Sequence, residues 1–182
     1  MTTEAEPTRL DTLGDLGREI VRVAYLEGDF VLSSGRRSRY YLDKYLFETR
    51  PELLRGIARE LAALMPPNVQ RIAGPELGAV ALAAALSLET GIPFVIARRE
   101  AKDYGTSKPI EGEFLPGERV IVVEDVITTG AQAIKAAERL RAAGADVAGI
   151  LGVIDREEGG QAAIEAAGFA FTPLFTKSSL GI

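Results

Sequence analysis

Val120-Ile121-Val122-Val123-Glu124-Asp125-Val126-Ile127-Thr128-Thr129-Gly130 is the stretch from which the fold follows. Consecutive apolar, β-branched residues at 120–123 fit a strand buried on both faces, as in a parallel sheet. Two acids, Glu124 and Asp125, close that run at the end where open parallel sheets place their ligand crevice. Thr128, Thr129 and Gly130 follow, and an Ala-rich helical pattern begins at Ala131. A hydroxyl-bearing, glycine-closed turn at a helix start suits a phosphate, because free backbone N–H groups and the helix dipole point at it. The acids suit ribose hydroxyls or a cation. One stretch therefore offers both halves of a sugar-phosphate site. The plainer alternative is a strand-turn-helix with solvated acids and a Thr-Thr cap on the helix.

Outward from this stretch, short apolar strands alternate with helices from Arg71 onward. Strands are expected at 72–73, 93–97, 119–124, 147–154 and 169–174, with helices at 79–88, 131–143 and 161–167. Repeated βα units with apolar strands predict an α/β fold, an open parallel sheet flanked by helices on both faces. Residues before about 70 break the rhythm. Leu13, Leu16, Ile20, Val23 and Ala24 recur at helical spacing, with Gly28 as the expected C-cap. Phe30-Val31-Leu32 and Tyr40-Tyr41-Leu42 flank the basic loop 33–39 as a hairpin. Thr49-Arg50-Pro51-Glu52 has capping-box spacing before a helix running to Leu64. The division is thus a small N-terminal hood, 1–69, and an α/β core, 70–182, in one compact unit.

Composition narrows the chemistry. The 182 residues contain no cysteine and no histidine. Disulfides, thiol catalysis, Ser-His-Asp triads and nearly all transition-metal sites are excluded. What remains is carboxylates, Lys, Arg, Tyr, backbone dipoles or a hard, oxygen-bound ion such as Mg²⁺. A net charge of −5 argues against nonspecific nucleic-acid binding. No run reaches the ~18 apolar residues of a membrane helix. Residues 1–8 are acidic, unlike a signal peptide, and read as a short disordered tail. A cytoplasmic enzyme is expected.

Two further stretches carry polar chemistry. Gly74-Pro75-Glu76-Leu77-Gly78 joins a strand to a helix and permits close backbone approach, as a pyrophosphate cradle requires. Arg98 to Gly117 lacks apolar periodicity, and loops of that length are commonly lids or disordered. Its Arg98, Arg99, Lys102 and Lys108 would bring positive charge to a diphosphate leaving group. By charge alone a mobile, solvated charge run is the favoured explanation.

The 120–130 stretch resembles the phosphoribosyl-pyrophosphate (PRPP) signature of the type I phosphoribosyltransferases. Arg98-Arg99-Glu100-Ala101-Lys102-Asp103-Tyr104-Gly105, Phe30-Val31-Leu32-Ser33-Ser34-Gly35 and Asp155-Arg156 are similar to the orotate branch of that family. Ser33 and Tyr104 stand where the family often has a lysine and a histidine. The resemblance implies transfer of the phosphoribosyl group of PRPP to orotate, giving orotidine 5′-monophosphate and pyrophosphate, a step of UMP biosynthesis. It assigns Lys102, Asp125 and Glu124 to catalysis. Arg98, Arg99, Lys102, Tyr104, Glu124, Asp125, Val126, Ile127, Thr128, Thr129, Gly130 and Ala131 go to PRPP. Thr128, Arg156, Ser34 and Gly35 go to orotate. It implies Mg²⁺ carried mainly by PRPP without dedicated protein ligands, and a homodimer sharing loop 99–117 across its interface. No nucleic-acid or membrane partner is expected. The alternatives are a phosphoribosyltransferase for another base and a non-catalytic PRPP-sensing regulator.

Overall fold

The computed structural model describes residues 10, 12–31, 37–99 and 109–182. Residues 1–9, Ser33, Ser34, Gly35, Lys102 and Tyr104 lie outside them. Helix α1 (Leu13–Ala24) starts at a capping box, Thr12 Oγ1 accepting from Asp15 N and Asp15 Oδ2 from Thr12 N, both at 3.1 Å. Strand β1 (Tyr25–Val31) pairs antiparallel with β2 (Arg37–Leu42). The expected C-cap at Gly28 is not one. Tyr25 is already extended when the helix ends, and Gly28 falls in the register break between Glu27 and Phe30 of β1.

Helices α2 (Tyr45–Glu48) and α3 (Pro51–Leu64) follow. Pro51 occupies the first turn of α3 as expected, but no side chain caps it. Thr49 instead donates its hydroxyl to Tyr45 O at 2.6 Å and closes α2, so the expected capping box does not form.

The rest alternates: β3 (Arg71–Pro75), α4 (Ala79–Thr90), β4 (Phe94–Ala97), β5 (Ile110–Glu111), β6 (Arg119–Ile127), α5 (Ala131–Ala142), β7 (Asp146–Asp155), α6 (Gly160–Ala166), β8 (Phe171–Thr176) and α7 (Lys177–Leu180). The main sheet has six strands in the order β5-β4-β3-β6-β7-β8, parallel except for β5. Part of the expected 98–117 loop is therefore an edge strand, since Ile110 and Glu111 pair with Ala97 and Ile96.

Strand β6 lies centrally and its side chains alternate between two cores. Ile121 and Val123 pack with α1, α3 and α4, while Val120 and Val122 pack with α5 and α6. Leu16, Ile20, Leu53, Ile57 and Leu61 of α1 and α3 are fully buried in the first core. Each such side chain contributes roughly 1.5–3 kcal/mol. Apolar packing, rather than the β1–β2 hairpin, thus fastens the N-terminal segment to the sheet. The strand also runs three residues beyond its expected end. Glu124 faces Gly152, Val126 faces Ile154 and Ile127 faces Asp155 across the ladder with β7. The two acids are inside the strand, not after it.

Candidate active site

Because β6 continues through them, Glu124 and Asp125 are buried, at 8% and 2% exposure. Asp125 Oδ1 accepts from Val126 N at 2.5 Å, and Asp125 Oδ2 accepts from the Lys44 ammonium. Lys44 reaches it from the turn between β2 and α2, a residue that sequence reasoning passed over. Glu48, one helical turn further on, is 3% exposed with Oε1 buried and unpartnered; Glu124 Oε2 is likewise buried and unpartnered. Burial, then the negative Asp125, pushes the Glu48 carboxyl up to about 8 and does the same to Glu124. Burial works against the Lys44 charge, but Asp125 and then Glu48 and Glu124 outweigh it and hold the ammonium above the ordinary lysine range.

Two helix starts open beside this cluster. Gly130, left-handed at φ 75°, is the N-cap of α5, and no side chain caps that helix. Thr128 and Thr129 therefore do not cap it, which removes the plain capping reading of the stretch. Gly78 precedes α4, also without a side-chain cap. A Cβ on residue 78 would lie 1.8 Å from Asp125 Oδ2 and 2.6 Å from Lys44 Nζ. Only glycine fits there. Uncapped helix starts converging on one crevice favour an anion.

Glu76, the acid of the 74–78 turn, is occupied by the basic side of the crevice. Its Oε1 accepts from Arg99 N at 2.9 Å and its Oε2 lies 3.9 Å from Arg98 Nη2. Arg98 also approaches Glu111 at 3.7 Å, and its carbonyl accepts from Arg139. Across the crevice, Arg156 N donates to Ile127 O at 2.9 Å, which ties the start of the 156–158 turn to the end of β6. The Arg156 side chain is 2.9 Å from Glu158 Oε1 and donates to the Tyr40 hydroxyl at 3.3 Å, while its Nε is buried and unpartnered.

Most of these groups, though not Tyr40, Glu48 or Glu111, line a cavity of about 570 Å³, a volume suited to a small polar substrate. Arg98, Arg99, residues 124–131 and Arg156 all line it, so the structure brings these expected site residues together. Lys102, Tyr104, Ser34 and Gly35 lie outside the described residues. Lys44, Glu48, Tyr40 and Glu158 were missed. The available signal was the i, i+4 spacing of Lys44 and Glu48 beside buried Leu42 and Phe47, a pattern that a solvated helix shares. Among the described residues no group of three or more acids is placed to hold a metal ion.

Residues 49–172 match the phosphoribosyl transferase domain family. The chain is 48% identical over 153 residues to the orotate phosphoribosyltransferase of Methanocella arvoryzae, covering 84% of this chain and 87% of that relative. It is 51% identical over 156 residues to that of Pyrococcus horikoshii, covering 84% of each. The crystal structure of Mycobacterium tuberculosis orotate phosphoribosyltransferase in complex with PRPP superposes with a TM-score of 0.80 at 29% identity, over 93% of this chain and 99% of that one. A phosphate-ready turn after buried acids, in a chain this similar to those relatives, leaves one assignment: the chain belongs to the orotate phosphoribosyltransferase family.

Proposed function

We propose that this crevice performs the family's reaction through the residues that line it. The carbon–oxygen bond between C1′ of PRPP and its diphosphate breaks with the electron pair leaving on pyrophosphate, and a carbon–nitrogen bond to orotate forms as that nitrogen's proton passes to pyrophosphate or solvent. The observation that carries this reading is the adjacency of two buried acids to two uncapped helix starts. Thr128, Thr129, Gly130 and Ala131 would hold the 5′-phosphate, with Val126 and Ile127 shaping the turn. Glu124 and Asp125 would hold the ribose hydroxyls and sit beneath the positive charge that develops at C1′. Arg98 and Arg99 would face the departing pyrophosphate, joined by Lys102 and Tyr104. Bound with PRPP, Mg²⁺ would neutralise part of the diphosphate charge.

Arg156, with Thr128, Ser34 and Gly35, would receive orotate. Its Nε is unpartnered, and Nε with Nη2 would give the fork that a carboxylate accepts in two parallel bonds once the carboxylate displaces Glu158 from Nη2. The segment 1–69 would act as hood over the 70–182 core. The protein would work as a homodimer in which segment 99–117 of one subunit completes the partner's crevice, as the family resemblance implies. No helix among the described residues is long and apolar enough to cross a membrane, and we place the enzyme in the cytoplasm.

Asp125→Asn preserves shape and removes charge, so turnover should fall by ~10²-fold or more while the melting temperature stays near the parent's. Full activity in that variant would remove Asp125 from the ribose site. Arg156→Lys loses the planar fork, so the Michaelis constant for orotate should rise far more than that for PRPP. Equal rises would mean that the base contact is misassigned. The shared loop is tested by mixing inactive Lys102→Ala and Asp125→Asn proteins and letting subunits exchange. Crossed loops give each mixed dimer one intact site and recovered activity; verified exchange without recovery contradicts crossing.

A further inference from the structure

Two polar groups at the crevice's edge, Lys44 in its lining and the buried Glu48 behind it, are not used by the family's reaction as derived above. Lys44 and Glu48 both come from the N-terminal segment, yet both point at Asp125. Their burial is not needed to fasten that segment. Leu42 and Phe47, on either side of Lys44, are buried in the apolar core and already seat the turn. Buried ion pairs are weak evidence of stabilisation, because the desolvation penalty offsets most of the attraction. A lysine placed here therefore calls for a role in the crevice it lines.

We propose that Lys44 and Glu48 are positioning residues for Asp125: the ammonium fixes one carboxylate oxygen, and the Glu48 carboxyl group flanks the pair and keeps the ammonium from drifting off it. The inference rests on the reading that Asp125 holds the ribose. Asp125 Oδ1 is engaged by Val126 N and Oδ2 by Lys44, so the carboxylate has a single orientation before substrate arrives. Residue 78 must be glycine for the pair to exist, so the start of α4 is shaped around it. Lys44 remains 27% exposed at its side chain, on the crevice side, while Asp125 is closed off at 3%.

Charge balance explains the second residue. Asp125 and Asp43 act on Glu48 against the attraction of Lys44, while Glu124 is acted on by Asp125 against Lys44 and Arg99. With its proton, Glu48 leaves Asp125 as the preferred anion for the single ammonium. Without it, a second buried carboxylate competes for Lys44. Since the Glu48 proton is lost around pH 8, turnover should fall as pH rises through that value. Glu124 ionises over the same range, so the limb is assigned by substitution and not by its position.

The test is steady-state kinetics with orotate, PRPP and Mg²⁺ across pH 6–9.5, with melting temperatures, for four variants. Lys44→Arg keeps the charge but displaces it. Turnover should drop roughly 10²-fold, the loss typical of a misplaced catalytic group, with the orotate Michaelis constant and melting temperature near the parent's. Lys44→Met should lose at least as much. If it fails to fold, Lys44→Arg and Glu48→Gln carry the test. Glu48→Gln, which cannot ionise, should lose the Glu48 share of the alkaline limb, so that its turnover falls less between pH 7 and pH 9.5 than the parent's does. Parental turnover in Lys44→Arg, or an unchanged limb in Glu48→Gln, overturns the proposal. So does a fall in melting temperature without any fall in turnover. Asp125→Asn separates the two failures: if it is inactive while Lys44→Arg is fully active, only this inference falls, and if it is active, the ribose reading falls first.

Discussion

A carboxylate buried at the end of a central strand must be answered by a cation, and most of this site follows from that need. Asp125 is closed off because β6 continues past it in register with β7. An ion taken out of water without a partner is penalised by several kcal/mol. Lys44 supplies the answer from outside the sheet. That requires the turn after the β1–β2 hairpin to stand over the carboxyl edge of the strands, which α1 and α3 secure by apolar packing. It also requires glycine at 78, because any side chain there would occupy the pair's space. The placement of the N-terminal segment, the α4 start and the acid pair are thus one arrangement.

Under the proposed reaction a chain with net charge −5 receives polyanions in this crevice, and the reason is local. The negative charge near the crevice is either paired or carries a proton at neutral pH. Glu76 is turned onto the Arg98–Arg99 side, and the Glu48 and Glu124 carboxyls are pushed up to about 8. Against this, α4 and α5 present uncapped N-termini, and Arg98, Arg99, Arg139 and Arg156 line the cavity. Local potential, not net charge, governs which ligand is attracted over a distance comparable with the ~8 Å screening length at physiological salt.

The α/β class and the glycine-closed turn before α5 were legible in the sequence because both rest on local rules. A β-branched run, a change of period and a glycine before an Ala-rich helix survive without knowledge of the tertiary structure. Boundaries depended on partners that the sequence does not display. Glu124 and Asp125 belong to β6 only because β7 is long enough to pair with them, and Gly28 lies in a bulge set by the register with β2. Thr49 was read as a cap because its spacing was right, but the nearer carbonyl of Tyr45 took its hydroxyl. Lys44 was invisible for a stronger reason. Its partner is 81 positions away, and a lysine on a short turn looks like a solvated charge until the fold brings Asp125 to it.

The central claim is that this crevice passes a phosphoribosyl group to orotate. The most direct measurement follows base consumption by ultraviolet absorbance, with PRPP and Mg²⁺, for orotate beside adenine, hypoxanthine and uracil. The account predicts rapid loss of orotate, matched by pyrophosphate release, with the carboxylate-free bases left essentially unconsumed. Consumption of adenine, hypoxanthine or uracil in preference to orotate, or binding of PRPP without turnover of any base, would contradict it.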